Sequence, residues 1–168
     1  MINRSDKKAF YGVPGEAGTE FTRMKYFTEL SISKNPKEYS RQYVDEASER
    51  TDVTGYSPSM SYAFDDCEGD KVLADIVEIT NEEKLGLEAQ RQIVQVDFTK
   101  PSGDGFEAVK RTFAVIADSE GDSTDAYTYS GTFKTVGQKV HGIAKIETPE
   151  NGDSENVTTI TFAENSGE

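Results

Sequence analysis

The sequence predicts a mainly β fold: a β-sandwich or partial barrel with one flanking α-helix, an extended N-terminal arm and a long charged loop. Several runs alternate polar and apolar residues with the two-residue period of a half-buried strand. One run alone carries the helical period. The joints between runs, "PSGDG", "DSEGDSTD" and "PENGDSEN", are built of glycine, proline, asparagine, aspartate and serine, the residues of turns. A chain of 168 residues is the length of one ordinary domain, read as residues 1–168.

Taken in chain order, "MINRSDKKAFYGVPGEAGTEFT" has no sustained period, and its glycines and Pro14 read as an extended arm over 1–23. "MKYFTELSIS" (24–33) reads as a strand with Tyr26, Leu30 and Ile32 on one face and Phe27, Glu29 and Ser31 on the other. Residues 34–57 form a stretch dense in both charge signs and too long for a usual connection inside a compact domain. "SPSMSYAF" alternates Met60, Tyr62 and Phe64 against Ser57, Ser59 and Ser61. In "DKVLADIVEI", Val72, Leu73, Ile76 and Val77 recur at helical spacing, with Asp70 placed to cap the N-terminus and Gly86 beyond the end. Thr80 and Glu83 have the spacing of a capping box for a second short turn. The strands "RQIVQVDFT" and "AVKRTFAVIA" follow. "DAYTYSGTFKTVGQKVHGIAKIET" reads as a hairpin turning at a glycine, "VTTITF" as the last strand, and 163–168 as a flexible tail.

Charge is uneven along the chain. The net charge is −13, yet residues 1–50 hold 9 Lys and Arg against 8 Asp and Glu, leaving 9 against 23 for the rest. An acidic body of this kind repels nucleic acid phosphates, because binding them requires basic side chains that displace counterions. No run approaches the roughly 18 consecutive apolar residues of a membrane helix, and the first residues lack the apolar stretch of a secretory signal. Residence in a cytoplasm is the expectation, and with it the "NRS" and "NVT" sequons carry no meaning.

Catalytic and metal signatures are weak throughout. One histidine, His141, cannot supply a histidine metal cluster and has no paired nucleophile. Cys67 sits among Asp65, Asp66, Glu68 and Asp70, whose charge disfavours its thiolate. "GTFKTVGQK" lacks the Lys-Ser/Thr ending of a phosphate loop. "DSEGDSTD" gathers four acids without the glycine position or distal glutamate of a calcium loop. Neither an enzymatic activity nor a cofactor is expected.

Three stretches carry a resemblance: "YVDEASERTDVTGYSPSMSYAFD" (43–65), "DIVEITNEEKLG" (75–86) and "YTYSGTFKTVGQKVHGIAKI" (127–146). With "RQIVQVDF" they span most of residues 24–146, and the first is the most specific. Together they resemble the major tail tube proteins of long-tailed bacteriophages of Gram-positive hosts. The resemblance implies a structural virion protein with a small β-sandwich and a helix. Its subunits close into hexameric rings that stack head to tail. The lumen holds the tape measure protein and then passing DNA, which it does not bind specifically, and tail tip and tail terminator proteins meet the ends. Its place is the virion tail, after assembly in the host cytoplasm.

On that reading residues 34–57 are an inter-ring loop, with Tyr39, Arg41, Tyr43, Asp45, Glu46, Glu49, Arg50 and Asp52 as contacts. Tyr39 and Tyr43, four apart, form one ridge if the segment is helical. The polar faces, Glu29 and Ser31, Ser59 and Ser61, Gln95 and Asp97, are the candidates for the lumen wall, since acidic and small polar side chains let a duplex slide without holding it. Lys110 departs from such a wall. Two other classes fit the composition: a carbohydrate- or cell-binding β-sandwich of a tail tip or surface adhesin, and an acidic-site hydrolase around Asp118, Glu120, Asp122 and Asp125. The first lacks tryptophan for a sugar platform, and the second lacks a partner base.

Overall fold

A computed structural model describes residues 1–16, 18–121, 124–148 and 159–165. Ten strands and one α-helix follow in the order β1 (Lys7–Gly15), β2 (Gly18–Arg23), β3 (Phe27–Ser33), β4 (Pro36–Arg41), β5 (Arg50–Tyr56), β6 (Ser59–Asp65), α1 (Lys71–Asn81), β7 (Gln90–Ser102), β8 (Gly105–Glu120), β9 (Thr128–Thr148) and β10 (Thr159–Glu164). Eight strands form one sheet in the order β10-β2-β1-β7-β8-β9-β6-β3, and β10 pairs with β9 as well as β2. That extra pairing closes β10, β2, β1, β7, β8 and the C-terminal half of β9 into a six-stranded barrel. Beyond it, β8, the N-terminal half of β9, β6 and β3 continue as an open four-stranded wing that ends at the edge of β3. Strands β4 and β5 pair only with each other.

Two cores follow from this layout. The barrel is filled by Phe10, Val94, Val96, Ala108, Ala144 and Ile160, with Phe21, Phe98, Phe106, Ile146 and Phe162 packed around them. A second core lies where α1 covers the wing and the outside of the barrel: Val72, Leu73, Ile76 and Ile79 of the helix meet Tyr11, Tyr62, Phe64, Ile93, Phe113 and Phe133. Asp70 caps α1 as its position predicts, accepting from the amides of Val72 (2.9 Å) and Leu73 (3.1 Å). The Thr80–Glu83 box does not form. The Thr80 hydroxyl instead donates back to the Ile76 carbonyl, and the next short turn spans Gly86–Ala89.

The main sheet departs from expectation in several places. Residues 7–23 are not an arm but the β1–β2 hairpin of the barrel, with neighbouring Phe10 and Tyr11 both fully buried because each fills a different core. The presumed hairpin of 125–148 is one 21-residue strand. Its glycine, Gly137, holds φ +80 and marks an irregularity in the pairing with β8, so β9 bends from wing to barrel without reversing. In β3 a bulge between Phe27 and Glu29 turns Phe27 to the core side, where its ring meets Tyr62 and Phe64; Tyr26, with φ +64, is outside the strand. Ala163 and Glu164, expected in a flexible tail, belong to β10, and the amide of Asn165 donates to the His141 carbonyl; 166–168 lie outside the described residues.

Candidate functional site

Three surfaces stand out among the described residues once the cores are packed. The first is the outward face of the wing. Antiparallel partners point to the same side of a sheet. The register therefore lines up Ser31, Ser61, Thr132 and Ile116 in one row and Ser33, Ser59, Lys134, Ala114 and Gln90 in the next. Glu29 shares this face through its partner Ala63. The face is built mostly of small polar side chains, and its charges are Glu29 and Asp65 against Lys134. Of the six wall candidates, Glu29, Ser31, Ser59 and Ser61 share it. Gln95 and Asp97 do not: they alternate with Val94 and Val96, which fill the barrel, so they point to its outside. Sequence reading overlooked Thr132 and Lys134, although both alternate with the buried Tyr129 and Phe133 in "YTYSGTFK".

The reverse of the wing carries its aromatic side chains. Tyr62 lies opposite Gly131, its ring stacked 4.4 Å from Phe133. A Cβ on Gly131 would fall on the Ile116 carbonyl and within 2.6 Å of the Tyr62 hydroxyl oxygen, so only glycine lets the aromatic lie across β9. The Tyr62 hydroxyl is buried without a hydrogen-bond partner among the described residues, and burial, reinforced by the charge of Asp118, pushes its pKa up to about 12. Nearby, Asp75 of α1 accepts from the Tyr11 hydroxyl (2.5 Å) and from Arg91 Nε (2.9 Å), a half-buried cluster that ties helix to barrel. Burial, then the Asp75 charge, pushes the Tyr11 pKa strongly up.

The second surface is the β4–β5 ribbon. Residues 34–57 form this hairpin, not a helix or an irregular loop. Every residue of its two strands is exposed except Gly55. Asn35, with φ +47, clamps the base, its side-chain amide donating to the Ser57 carbonyl and Ser59 hydroxyl. All eight predicted contacts lie on this ribbon. Tyr39 faces Asp52, and Arg41 faces Arg50. The two guanidinium groups sit over the Tyr43 ring, at 5.5 and 5.9 Å, and Arg50 pairs with Glu46. Arg41 also donates to the Tyr39 hydroxyl at 3.3 Å, so it joins the two tyrosines that a helix was expected to align. Val44, fully exposed at the tip, and the half-exposed Val53 and Tyr56 were not foreseen.

The third surface is a groove of about 680 Å³ between the edge of the wing and the outside of the barrel. Gln95, Asp97 and the exposed His141 line it. Lys110 is not on the wing face: its ammonium lies 5.0 Å above the Phe162 ring at the barrel. Among the described residues no three His, Cys, Asp or Glu side chains gather as a metal site. Asp118 and Glu120 are on β8, while Asp122 of the acidic turn lies outside the described residues. Among the described residues no helix is long and apolar enough to cross a membrane.

A closed barrel with an open wing, a flanking helix and a protruding ribbon is a tail-tube-type fold. Among solved structures the chain is similar to the SPP1 tail tube determined by solid-state NMR and cryo-electron microscopy. The TM-score is 0.65 at 14% identity, and the match covers 84% of this chain and 78% of that one. At that identity the likeness is one of fold. No protein-family model matches the chain, and no curated protein does.

Proposed function

We propose that this chain is the structural subunit of a bacteriophage tail tube, self-assembling head to tail into stacked hexameric rings. The observation that carries the reading is the pairing of a tail-tube fold with two features a lone monomer leaves incomplete. One is the open edge of β3, which pairs with no further strand among the described residues and borders a polar face. The other is a two-stranded ribbon that pairs with no other strand among the described residues, although such ribbons are marginal in water by themselves. Neighbouring wings joined edge to edge would place Glu29, Ser31, Ser59, Ser61, Thr132 and Lys134 on a continuous wall. Small polar groups with two acids against one cation on that wall do not grip phosphates, which suits a channel for the tape measure protein and for DNA leaving the particle. The ribbon reaches the adjoining ring. Tail tip and tail terminator proteins complete the two ends. The particle is that of a phage of a Gram-positive host, assembled in the host cytoplasm, and the subunit has no catalytic role.

Negative-stain electron microscopy of the concentrated purified protein tests this. Hollow tubes or stacked six-fold rings are the expected outcome. Particles that stay monomeric in sedimentation at every concentration, and with tail tip complexes added as seeds, would overturn it.

A further inference from the structure

We propose that the ribbon is a stiff lever on a latched hinge: it swings as one piece about Lys34, Asn35, Ser57 and Pro58, and the Asn35 side chain locks its angle to the wing. The register shows where the joint lies. β3 and β6 end their pairing at Ser33 opposite Ser59, and β4 and β5 begin theirs at Pro36 opposite Tyr56. The ribbon is thus the β3–β6 hairpin resumed after two residues on each side. Across that break the Ser57 amide donates to the Asn35 carbonyl over a long 3.3 Å, and Pro36 and Pro58, beside it, have no amide to donate.

Asn35 is the latch. Its φ of +47 is a conformation that glycine would supply by itself. Asparagine adds an amide, which reaches across the break to the Ser57 carbonyl (3.1 Å) and on to the Ser59 hydroxyl (3.1 Å) at the first residue of β6. Both bonds are exposed, so water competes for the same donors and acceptors and the latch opens easily. No strand braces the ribbon from the side: among the described residues β4 and β5 pair only with each other, and both are exposed except at Gly55.

The lever beyond the joint is cross-tied. The Thr54 hydroxyl donates to the Lys37 carbonyl (3.2 Å), the Ser40 and Thr51 hydroxyls share a bond of 2.9 Å, Arg50 pairs with Glu46, and two guanidinium groups sit over Tyr43. A cross-tied ribbon on a thinly bonded joint concentrates motion at the joint, where a few residues at the ends of elements absorb the change in φ and ψ.

Spin-label distances on unassembled protein test this. In a Cys67→Ser background, labels on Lys134→Cys of the wing and Val44→Cys at the tip report the angle, and labels on Lys37→Cys and Val44→Cys report the lever alone. All three positions are exposed. Glycine accepts the backbone of Asn35, so Asn35→Gly keeps the fold and removes the latch. It should broaden the wing-to-tip distance distribution to several times its native width and leave the lever distribution unchanged; Ser59→Ala, which removes one of the two partners, should fall between. Equal wing-to-tip widths with and without the Asn35 amide overturn the latch, and a broadened lever distribution overturns the lever, because the ribbon has then melted. The tube reading is tested separately by microscopy. A freed ribbon has to be ordered on assembly, so Asn35→Gly should raise the concentration needed for tubes several-fold. Broadening with that concentration unchanged keeps the hinge and sinks the ribbon's part in assembly, and broadening with no tubes from either chain, seeded or not, keeps the hinge and sinks the tube.

Discussion

Replacing Gly131 by alanine tests how the wing packs its aromatic side. The added methyl meets two groups that differ in their freedom to move: the Tyr62 hydroxyl at 2.6 Å, at the end of a ring stacked on Phe133, and the Ile116 carbonyl, which is backbone of the paired strand β8. Forcing a methyl into such a site costs up to about 3 kcal/mol. Alanine also narrows the unfolded ensemble, which offsets about 0.5–1 kcal/mol. The net loss is about 2 kcal/mol, and for a chain of this size the midpoint falls by about 4–8 °C. Urea unfolding of unassembled protein followed by circular dichroism, with a thermal scan beside it, measures both. Gly55→Ala is the control: its nearest neighbour is the flexible Lys37 Cδ at 4.0 Å, so stability should stay within about 0.5 kcal/mol of wild type. Adding Tyr62→Phe to Gly131→Ala relieves one clash and leaves the other, so recovery should be partial. Equal stability for Gly131→Ala and Gly55→Ala would refute the account of Gly131 as the space in which Tyr62 lies.

Tyr62→Phe alone should be neutral or slightly stabilising at pH 7, because the hydroxyl it removes is buried without a partner among the described residues. The same hydroxyl has its folded pKa raised to about 12, so its contribution to stability is complete below pH 10 and is lost as pH rises towards 12. Wild type should lose about 2–3 kcal/mol over that interval on this group alone, and urea midpoints at pH 9 and 12 should differ less in the variant. Asp75→Ala strands the half-buried Arg91 and removes the acceptor of Tyr11, an expected loss of about 3 kcal/mol in urea unfolding. Asp70→Ala removes the cap of α1 and should cost about 1 kcal/mol in the same assay. Arg41→Glu with Arg50→Glu sets new carboxylates against Glu46 and strips Tyr43 of its cations. Assembly by microscopy should fail while the urea midpoint stays within about 1 kcal/mol of wild type; unchanged tubes would count against a role of the ribbon in stacking.

What the sequence could show depended on how many faces each strand buries. β6 buries one face, so Met60, Tyr62 and Phe64 alternate with polar neighbours and the strand reads plainly. α1 likewise has one apolar stripe and a capping aspartate. β1 buries Phe10 in the barrel and Tyr11 against the helix, so alternation is lost and the hairpin looks like an unstructured arm. β4 and β5 bury neither face, and without an apolar pattern they pass for loop. In "GTFKTVGQK" a glycine with positive φ serves a turn or a bulge equally well; the choice was made by β8 and β10, which pair with β9 on both sides and are remote in sequence. The same limit applied to the polar face of the wing. Ser59 and Ser61 were legible beside their buried partners, whereas Gln95 and Asp97 share their alternation but lie outside a barrel whose closure no local pattern announces.

The strand that closes the barrel also sets a clock. Ile160 pairs with Phe21, 139 positions earlier, so the barrel stays open until nearly all of the sequence described here has left the ribosome. Before then β2 has no partner on one side, and Phe10 and Phe21 face an unfilled interior. Such remote pairings fold slowly, in milliseconds to seconds. A nascent chain with its ribbon already out would meet finished copies while its own barrel is unfinished. Variants that delay closure, at Ile160 or Phe21, should therefore show first as aggregation during synthesis, before any loss of stability is visible in the folded protein.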